Sequence, residues 1–363
     1  MDKITKGNWT WALLGLIALL IRYFFIQYPE GTEQIYSRGI FPVIRNLIDY
    51  SFGKFPVPSI YLFFTGLLVA LYYFWKGWRH QKGWLNSLVF TGRNVLNFLG
   101  FLVFAFLLLW GFNYQRIPVF QQLSLEPMPL HKEELLSELK LTRDDLHAWR
   151  AQISMDTSAL TETVAFGELE DVVRETIAEK IAMLGLEYSG NPRTRELYPG
   201  GFLRKLGILG IYFPFTGESY IDPTLHHLEK PFTLAHEMAH SCGVTDEGEA
   251  NFFAWVVCTQ SDIPLLNYSA QLRLISYQLK DLYRQDVEAY KSFVKTLEKG
   301  VRNDFADISE NHKKIEPFSL EISRKSNDLY LKAQGVKAGV GSYAQLTMLA
   351  YAWRNKKEEG NTH

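Results

Sequence analysis

Three apolar runs in the first third of the chain constrain its fold most, because each is long enough to cross a lipid bilayer. They lie at about residues 9–28, 57–75 and 94–112, and "FLGFLVFAFLLLWGF" is the clearest part of the third. The hydrocarbon core of a bilayer needs a helix of about 20 mainly apolar residues. Three such runs in close succession are not typical of the core helices of a soluble domain. The sequence therefore predicts a membrane anchor of three transmembrane helices over residues 1–113.

The basic residues predict how this anchor is oriented. Lys3 and Lys6 precede the first run, and the short loop between the second and third runs carries Lys76, Arg79, Lys82 and Arg93. Cytoplasmic loops of membrane proteins are enriched in Lys and Arg. We therefore expect the N-terminus and this loop on the cytoplasmic side, and everything after Phe112 on the other side.

The segment between the first two runs, residues 29–56, is more apolar than an ordinary loop. Its stretch "GIFPVIRNLIDYSFGKF" has helical periodicity, with Arg45 and Asp49 on a polar side. This pattern predicts an interfacial or re-entrant helix.

The composition after Asn113 becomes that of a water-soluble domain. Helical patterns dominate, among them "LTRDDLHAWRAQI", which is predicted to begin at Thr142 with Asp145 as a capping partner. The stretch "LGILGIYFPFTGESYID" predicts one or two strands with a turn at 215–218. The 38 Lys and Arg residues balance 39 Asp and Glu, which does not favour nucleic acid as a partner. The predicted fold class is mostly α: three transmembrane helices, then a mainly helical α+β domain with a small sheet over residues 114–363.

The stretch "HEMAH" at residues 236–240 carries the clearest chemical signal. His236 and His240 are four residues apart, so in a helix they share one face and can bind one zinc ion. Glu237 could then act on a water at that ion as general base and later as general acid. The alternative is a pair of histidines in a plain core helix, because the neighbouring residues are apolar or small.

A third metal ligand is expected just downstream, where three acidic residues compete. Asp246 fits a helix N-cap, with Glu249 completing a capping box, and this would account for both without a metal. Glu247 would then face the small, inward side of the following helix, where an otherwise unpartnered carboxylate needs a metal. Glu247 is the preferred third ligand, and Asp246 and Glu249 remain alternatives.

These residues resemble two groups of zinc peptidases. The spacing HExxHxxGxxD, with Asp246 as its last residue, resembles the metzincins. His236-Glu237-x-x-His240 followed by "EGEANFFA" resembles the gluzincins more, and this resemblance implies that Glu247 binds zinc while Asn251 supports a histidine ligand. Peptidases of this type often bind their substrate along a β-strand edge before the metal helix, for which residues 208–221 are the natural choice.

The wider chain is similar to an uncharacterised bacterial family, domain of unknown function 3810. The matching pieces include "WGFNYQR", "GIYFPFTGESYID", "PFTLAHEMAH", "EGEANFFA" and "YLKAQGVKAGVGSY". The resemblance implies a bacterial envelope protein with a zincin-like domain, and it implies no substrate. We therefore expect a zinc-dependent metallopeptidase of the bacterial cytoplasmic (inner) membrane, with its catalytic domain outside. A peptide or protein is the substrate expected from the reaction class alone. The alternative is a non-catalytic zinc-binding scaffold of the envelope.

Two further features of the sequence leave alternatives open. An oxyanion stabiliser could be Tyr330, Tyr343 or His312, and the sequence does not choose between them. Cys242 and Cys258 are the two cysteines of the chain; they could form one disulfide outside the cytoplasm, but two small buried thiols are favoured.

Overall fold

The structure is a computed structural model that describes residues 8–318, 321, 325, 328 and 345–361. The chain divides into two compact units. The N-terminal unit contains the chain up to Ile117 together with two later segments, Ser189–Asn191 and Phe213–Glu218. The C-terminal unit contains the other residues that the structure describes. Both units are built mainly from helices, as the apolar runs and helical patterns of the sequence predict.

The N-terminal unit contains three helices that are long and apolar enough to cross a membrane. These are α1 (Thr10–Gln27), α4 (Ser59–Arg79) and α5 (Trp84–Leu109). Between α1 and α4 lie α2 (Pro29–Gly31), a π-helical segment (Thr32–Ile40), α3 (Phe41–Ser51) and a 3-10 turn (Phe52–Lys54), and a second 3-10 turn (Gly111–Gln115) follows α5.

The predicted span at about 94–112 and the helix that contains most of it have different bounds. Its helix begins at Trp84, after Gly83 with a φ of 85°, and ends at Leu109. An apolar run marks only the part of a helix that can lie in lipid, whereas the helix itself extends through the more polar residues before it. At the other end, the chain tightens into the 3-10 turn, which begins at Gly111.

Helices α1 and α5 pack backbone against backbone. Asn97 of α5 accepts hydrogen bonds at Oδ1 from the amides of Trp11 (3.1 Å) and Ala12 (3.2 Å), so it caps the open start of α1. Near that contact, a Cβ atom added at Gly100 would collide with the carbonyl oxygen of Trp11 and lie 2.7 Å from Cα of Ala12. Gly15 of α1 likewise faces Gly100. Small residues at these positions allow the close approach.

The segment predicted as an interfacial or re-entrant helix is helical, but its polar side faces the protein. Arg45 and Asp49 of α3 are buried and form an ion pair of 2.5 Å (Nη2 to Oδ1). On the opposite side Val43, Leu47 and Tyr50 are exposed. Charged groups are buried only with partners, and an outward apolar face is typical of contact with lipid. The exposed side of α3 is therefore suited to contact with lipid.

A hairpin tip from far along the chain belongs to this same unit. The rings of Phe213 and Phe215 pack on Phe63 of α4, with centroid distances of 5.0 and 5.1 Å. Oε2 of Glu218 accepts hydrogen bonds from the amide (2.7 Å) and the hydroxyl (2.6 Å) of Ser59, where α4 begins. The N-terminal unit thus includes side chains that come well after the predicted boundary at residue 113.

The C-terminal unit holds ten helices among its described residues and most of a small sheet. In chain order the helices are α6 (Val119–Gln122), α7 (Lys132–Ile153), α8 (Phe166–Lys180), α9 (Phe202–Lys205), α10 (Lys230–Ser241), α11 (Glu247–Thr259), α12 (Pro264–Gln285), α13 (Val287–Val294), α14 (Lys299–Lys313) and α15 (Leu346–Asn361), and a 3-10 turn (Ile181–Leu184) follows α8. The predicted helix start at Thr142 is wrong, because α7 is continuous through it and the Thr142 hydroxyl instead accepts a hydrogen bond from Arg354 (3.1 Å).

The sheet has three strands in the order β1-β3-β2. They are β1 (Thr194–Glu196), β2 (Gly210–Phe213) and β3 (Glu218–Ile221). β1 runs parallel to β3, with Thr194 opposite Ser219. The strands predicted within residues 208–221 are β2 and β3. β2 therefore lies at an edge of the sheet, and only its tip residue Phe213 groups with the N-terminal unit.

The core of the C-terminal unit holds α10 and α11 together. Every residue of α10 after Lys230 is buried, and so are the residues of α11 from Gly248 to Cys258. Small side chains such as Ala235, Ala239 and Ala250 pack there with larger ones such as Met238 and Phe252. Buried packing on all sides fixes how each helix is rotated, and so fixes where its few polar side chains point.

The close contact of α1 and α5 generates a stability prediction. Gly100→Ala should lower the free energy of unfolding by about 1–3 kcal/mol, because the new methyl group overlaps the backbone of α1. Gly92→Ala on the same helix is the matched control, since nothing lies within 4 Å of its added Cβ, and Ala is the better helix former. Thermal unfolding of the full chain in detergent micelles measures both variants. Equal stability of Gly100→Ala and Gly92→Ala would contradict this packing.

Candidate metal centre

Helix α10 positions the two histidines. Pro231 in its first turn is compatible with the helix start, and Gly243, with a φ of 83°, allows the chain to leave the helix after Ser241. His236 and His240 lie one turn apart on the same face, and both are buried. The helix therefore presents two imidazoles from a rigid, packed element.

Helix α11 brings a carboxylate to the same place. Oδ1 of Asp246 accepts hydrogen bonds from the amides of Gly248 (2.8 Å) and Glu249 (3.0 Å), and this cap fixes the first turn. In that turn, Oε2 of Glu247 lies 3.1 Å from Nε2 of His236 and 3.6 Å from Nε2 of His240. The three possible ligand atoms lie within 4.8 Å of one another.

The two alternative third ligands have other partners. Asp246 is the helix cap, and Oε1 of Glu249 accepts a hydrogen bond from the amide of Phe120 (3.1 Å). Of the predicted capping box, the hydrogen bonds to the Asp246 side chain are thus formed, whereas the side chain of Glu249 contacts helix α6. Of the three acidic residues considered, the structure brings Glu247 to the histidines.

The second nitrogen of each histidine differs in its surroundings. Nδ1 of His240 donates to the carbonyl oxygen of Val244 (2.7 Å), which leaves Nε2 available as a ligand. Nδ1 of His236 is buried without a hydrogen-bond partner, and so is Nδ2 of Asn251. The support of a histidine by Asn251, which the gluzincin resemblance implies, is therefore not formed among the described residues. The Val244 carbonyl was missed because a backbone group leaves no trace in the sequence.

The residues present fit a divalent metal. Two imidazole nitrogens and one carboxylate oxygen are a donor set typical of catalytic zinc sites. All three side chains are mostly buried, and the cap at Asp246 and the carbonyl of Val244 orient two of them. Such an arrangement can bind a small cation without reorganising the helices.

Burial and neighbouring charges perturb the acid–base properties of the cluster. Burial alone would lower the pKa of His240, but the Glu247 carboxylate raises it to about 9. The two imidazoles hold the pKa of Glu247 well below its usual range despite its burial. Burial also lowers the pKa of His236. In the absence of metal, a proton on His240 therefore compensates the charge of Glu247 at neutral pH.

Glu237 lies next to the strand edge. Burial raises the pKa of its carboxyl group to about 8. A Cβ atom added at Gly210, the first residue of β2, would lie 2.5 Å from Oε1 of Glu237. Only glycine leaves room for this carboxyl group at the edge strand. The sequence placed a strand near the motif but carried no signal for this contact.

The remaining predicted residues lie elsewhere or outside the described part of the chain. Nε2 of His312 in α14 pairs with Oε2 of Glu229 (2.8 Å), and the imidazole is half-exposed. Tyr330 and Tyr343 lie outside the described residues. Cys242 and Cys258 do not form a disulfide, and burial raises the pKa of the Cys258 thiol to about 12.

One basic residue near the cluster was missed altogether. The charge of Arg273, on α12, acts on His236, although the main cause that lowers the pKa of this imidazole is burial. Arg273 follows the motif by more than a whole helix, so local sequence patterns could not have identified it.

The ligand assignment predicts a selective loss of metal. The full chain, purified in detergent and loaded with zinc, should hold about one ion per molecule, and Glu247→Gln should lower this to well under half. Glu249→Gln is the matched control, because it changes a buried carboxylate of the same helix outside the cluster. Elemental analysis measures both. Retention of zinc in Glu247→Gln and its loss in Glu249→Gln would contradict the assignment.

The His240–Glu247 pair also predicts a pH dependence. A metal ion can bind His240 only after the imidazole loses its proton, and a pKa of about 9 means that this proton is present at neutral pH. Zinc affinity should therefore rise with pH, by up to about tenfold per unit below pH 9. Competition with a chelator of known proton affinity, between about pH 6.5 and about pH 8.5, measures this. A zinc affinity that is constant across that range would show that His240 carries no proton at neutral pH.

The comparison with known proteins gives a family without an assigned activity. A family model described as "Protein of unknown function (DUF3810)" matches residues 36–351, a range that includes α3 to α14 and the whole histidine cluster. No curated protein and no solved structure matches the chain. Because the family model covers most of the sequence, this chain belongs to the DUF3810 family of proteins of unknown function.

Proposed function

We propose that this protein is a membrane-anchored zinc-dependent metallopeptidase. The observation that carries the proposal is the convergence of His236, His240 and Glu247 on one point, with the carboxyl group of Glu237 next in the chain. The His-Glu-x-x-His pattern on one helix is the arrangement that metallopeptidases use. The gluzincin resemblance of the sequence supports the same reading.

The roles of the chain's own residues follow from their surroundings. Nε2 of His236, Nε2 of His240 and Oε2 of Glu247 would hold the ion, which supplies Lewis acidity and an acidified water. Glu237 would take a proton at its carboxylate and return it to the leaving amine. Its pKa of about 8 lies near neutrality, where one group can both accept and release a proton.

The edge strand offers a way to position an extended peptide. β2 is at the edge of the sheet, and its first residue, Gly210, lies against Glu237. An extended peptide could pair with the main chain of β2, as in other cases of strand addition. This would bring the peptide's backbone beside the proposed general base without a side chain in the way.

The three apolar helices and the distribution of Lys and Arg support a membrane location. α1, α4 and α5 would span the bilayer, and the basic residues in and around the loop between α4 and α5 would lie on the cytoplasmic side. The C-terminal unit would then act outside the bacterial cytoplasmic membrane on peptides or proteins.

A non-catalytic zinc-binding scaffold is the second function that we consider. The observation that favours it is the burial of the motif: His236, Glu237 and His240 are only 9, 5 and 6% exposed. Structural zinc sites are closed, whereas catalytic ones keep a position open for water and substrate. Activity of the zinc-loaded protein separates these two functions.

The proposed base predicts a variant that keeps its metal and loses its activity. Glu237→Gln should lower peptide hydrolysis by about 10²- to 10⁴-fold, because the amide cannot accept the proton, while bound zinc stays at the wild-type level. The zinc-loaded full chain is incubated with an unstructured protein such as casein, and the products are read by mass spectrometry. Glu249→Gln is again the matched control.

Two results of that experiment would contradict the proposal. Full activity of zinc-loaded Glu237→Gln would remove Glu237 as general base. Stable zinc in the wild type, together with no cleavage of casein or of a mixed peptide library, would favour the scaffold function.

A further inference from the structure

Arg273 occupies an unusual position beside the candidate metal centre. Its guanidinium stands over the ring of Phe232, 5.7 Å from the centroid, and over the ring of Tyr277, at 5.4 Å. Phe232 lies one turn before His236 on α10, and Tyr277 lies one turn after Arg273 on α12. The two rings hold a positive charge next to the face of α10 that carries the histidines.

This guanidinium has no acidic partner among the described residues. Its Nε is buried without a hydrogen-bond partner. Of the four arginines that are buried among the described residues, three pair with an acid: Arg45 with Asp49 (2.5 Å), Arg116 with Glu33 (2.7 Å) and Arg150 with Asp304 (2.8 Å). The fourth, Arg204, donates hydrogen bonds to the carbonyl oxygens of Thr224 (2.8 Å) and Asn311 (2.7 Å). Arg273 departs from this pattern, although burying any part of an unpaired charge is unfavourable.

The guanidinium of Arg273 also lies near a candidate metal site, where a positive charge without an acidic partner is unfavourable. A guanidinium near His236 repels any cation bound there, so its presence works against the metal site. This repulsion is weakest when an anion lies between the guanidinium and the metal ion. No ion pair joins Arg273 to Glu247 or to any other acidic residue among those described, so a bound molecule is the natural source of that anion.

We propose that Arg273 is a specificity-determining residue that binds a carboxylate of the peptide substrate. The inference rests on the proposed peptidase function and names its substrate class: peptides with a carboxylate close to the bond that is cleaved. A guanidinium binds a carboxylate through two parallel hydrogen bonds, which fix both distance and orientation. The rings of Phe232 and Tyr277 limit the directions from which the carboxylate can approach.

That carboxylate has two possible sources. It is the free C-terminus of a short peptide, or the side chain of an Asp or Glu residue near the cleaved bond. Both present the same group to Arg273, and the experiment distinguishes them.

The test measures binding, so it does not depend on finding the natural substrate. The probes are mercaptoacetyl dipeptides, whose thiol binds zinc. The first pair differs at the C-terminus, which is either a free acid or an amide. The second pair has an amide at the C-terminus and carries either Glu or Gln directly after the mercaptoacetyl group. Calorimetry with the zinc-loaded full chain in detergent gives the Kd of each. In the wild type, one of the carboxylate probes should have a Kd about tenfold or more below that of its neutral counterpart, because charge-assisted hydrogen bonds stabilise a complex by that much. Whether the acid or the Glu probe shows this preference identifies the source.

Variants assign the preference to Arg273. Arg273→Gln should remove the preference, while the neutral probes still bind. Their binding shows that the variant is folded and holds zinc. Arg273→Lys keeps the charge without the two-pronged geometry and should retain part of the preference. Arg284→Gln is the matched control on the same helix, because Arg284 is exposed and pairs with Asp281 (3.4 Å).

The outcomes separate this inference from the proposed function. Equal binding of charged and neutral probes by the wild type, or a preference that persists in Arg273→Gln, overturns the inference while the metal site stands. If no probe binds, or if the protein holds no zinc, the proposed function fails and the inference fails with it.

Discussion

Glu247 lies between the imidazoles of His236 and His240, in the interior of a packed pair of helices. A carboxylate in such surroundings must be neutralised, either by a proton on an imidazole or by a cation. The apolar core that packs α10 against α11 brings these three side chains together, and the cap at Asp246 fixes which carboxylate enters. This packing therefore requires that the charge of Glu247 be compensated.

The same physical rule organises the N-terminal unit with a different result. There the buried charges pair with one another, as Arg45 does with Asp49, and their exposed neighbours are apolar. One set of charges is thus satisfied within the protein, whereas we propose ligands for the cluster at α10 and for Arg273 on α12. On these proposals, the contrast separates structural charges from functional ones.

Local patterns in the sequence were enough to find the elements but not their long-range contacts. The spacing of His236 and His240 and the start of α11 at Glu247 follow from residues a few positions apart. The carbonyl of Val244, the closeness of Gly210 to Glu237 and the charge of Arg273 depend on packing between distant segments, which no local pattern records. The polar side of α3 was recognised, but a pattern of periodicity cannot say which side of a helix the protein covers. Likewise, the apolar run within α5 did not reveal where the helix begins.

The hairpin tip at residues 213–218 limits how this chain can be shortened for biochemistry. A fragment that starts after α5 would remove Phe63 from beneath Phe213 and Phe215 and both donors from the carboxylate of Glu218. Two aromatic rings without their packing partner, and an acid that has lost these two donors, would then stand at the end of the strand that begins beside Glu237. A soluble fragment would thus aggregate readily or lose the order of its edge strand. Inactivity of such a fragment would reflect the truncation and not the chemistry of the intact protein.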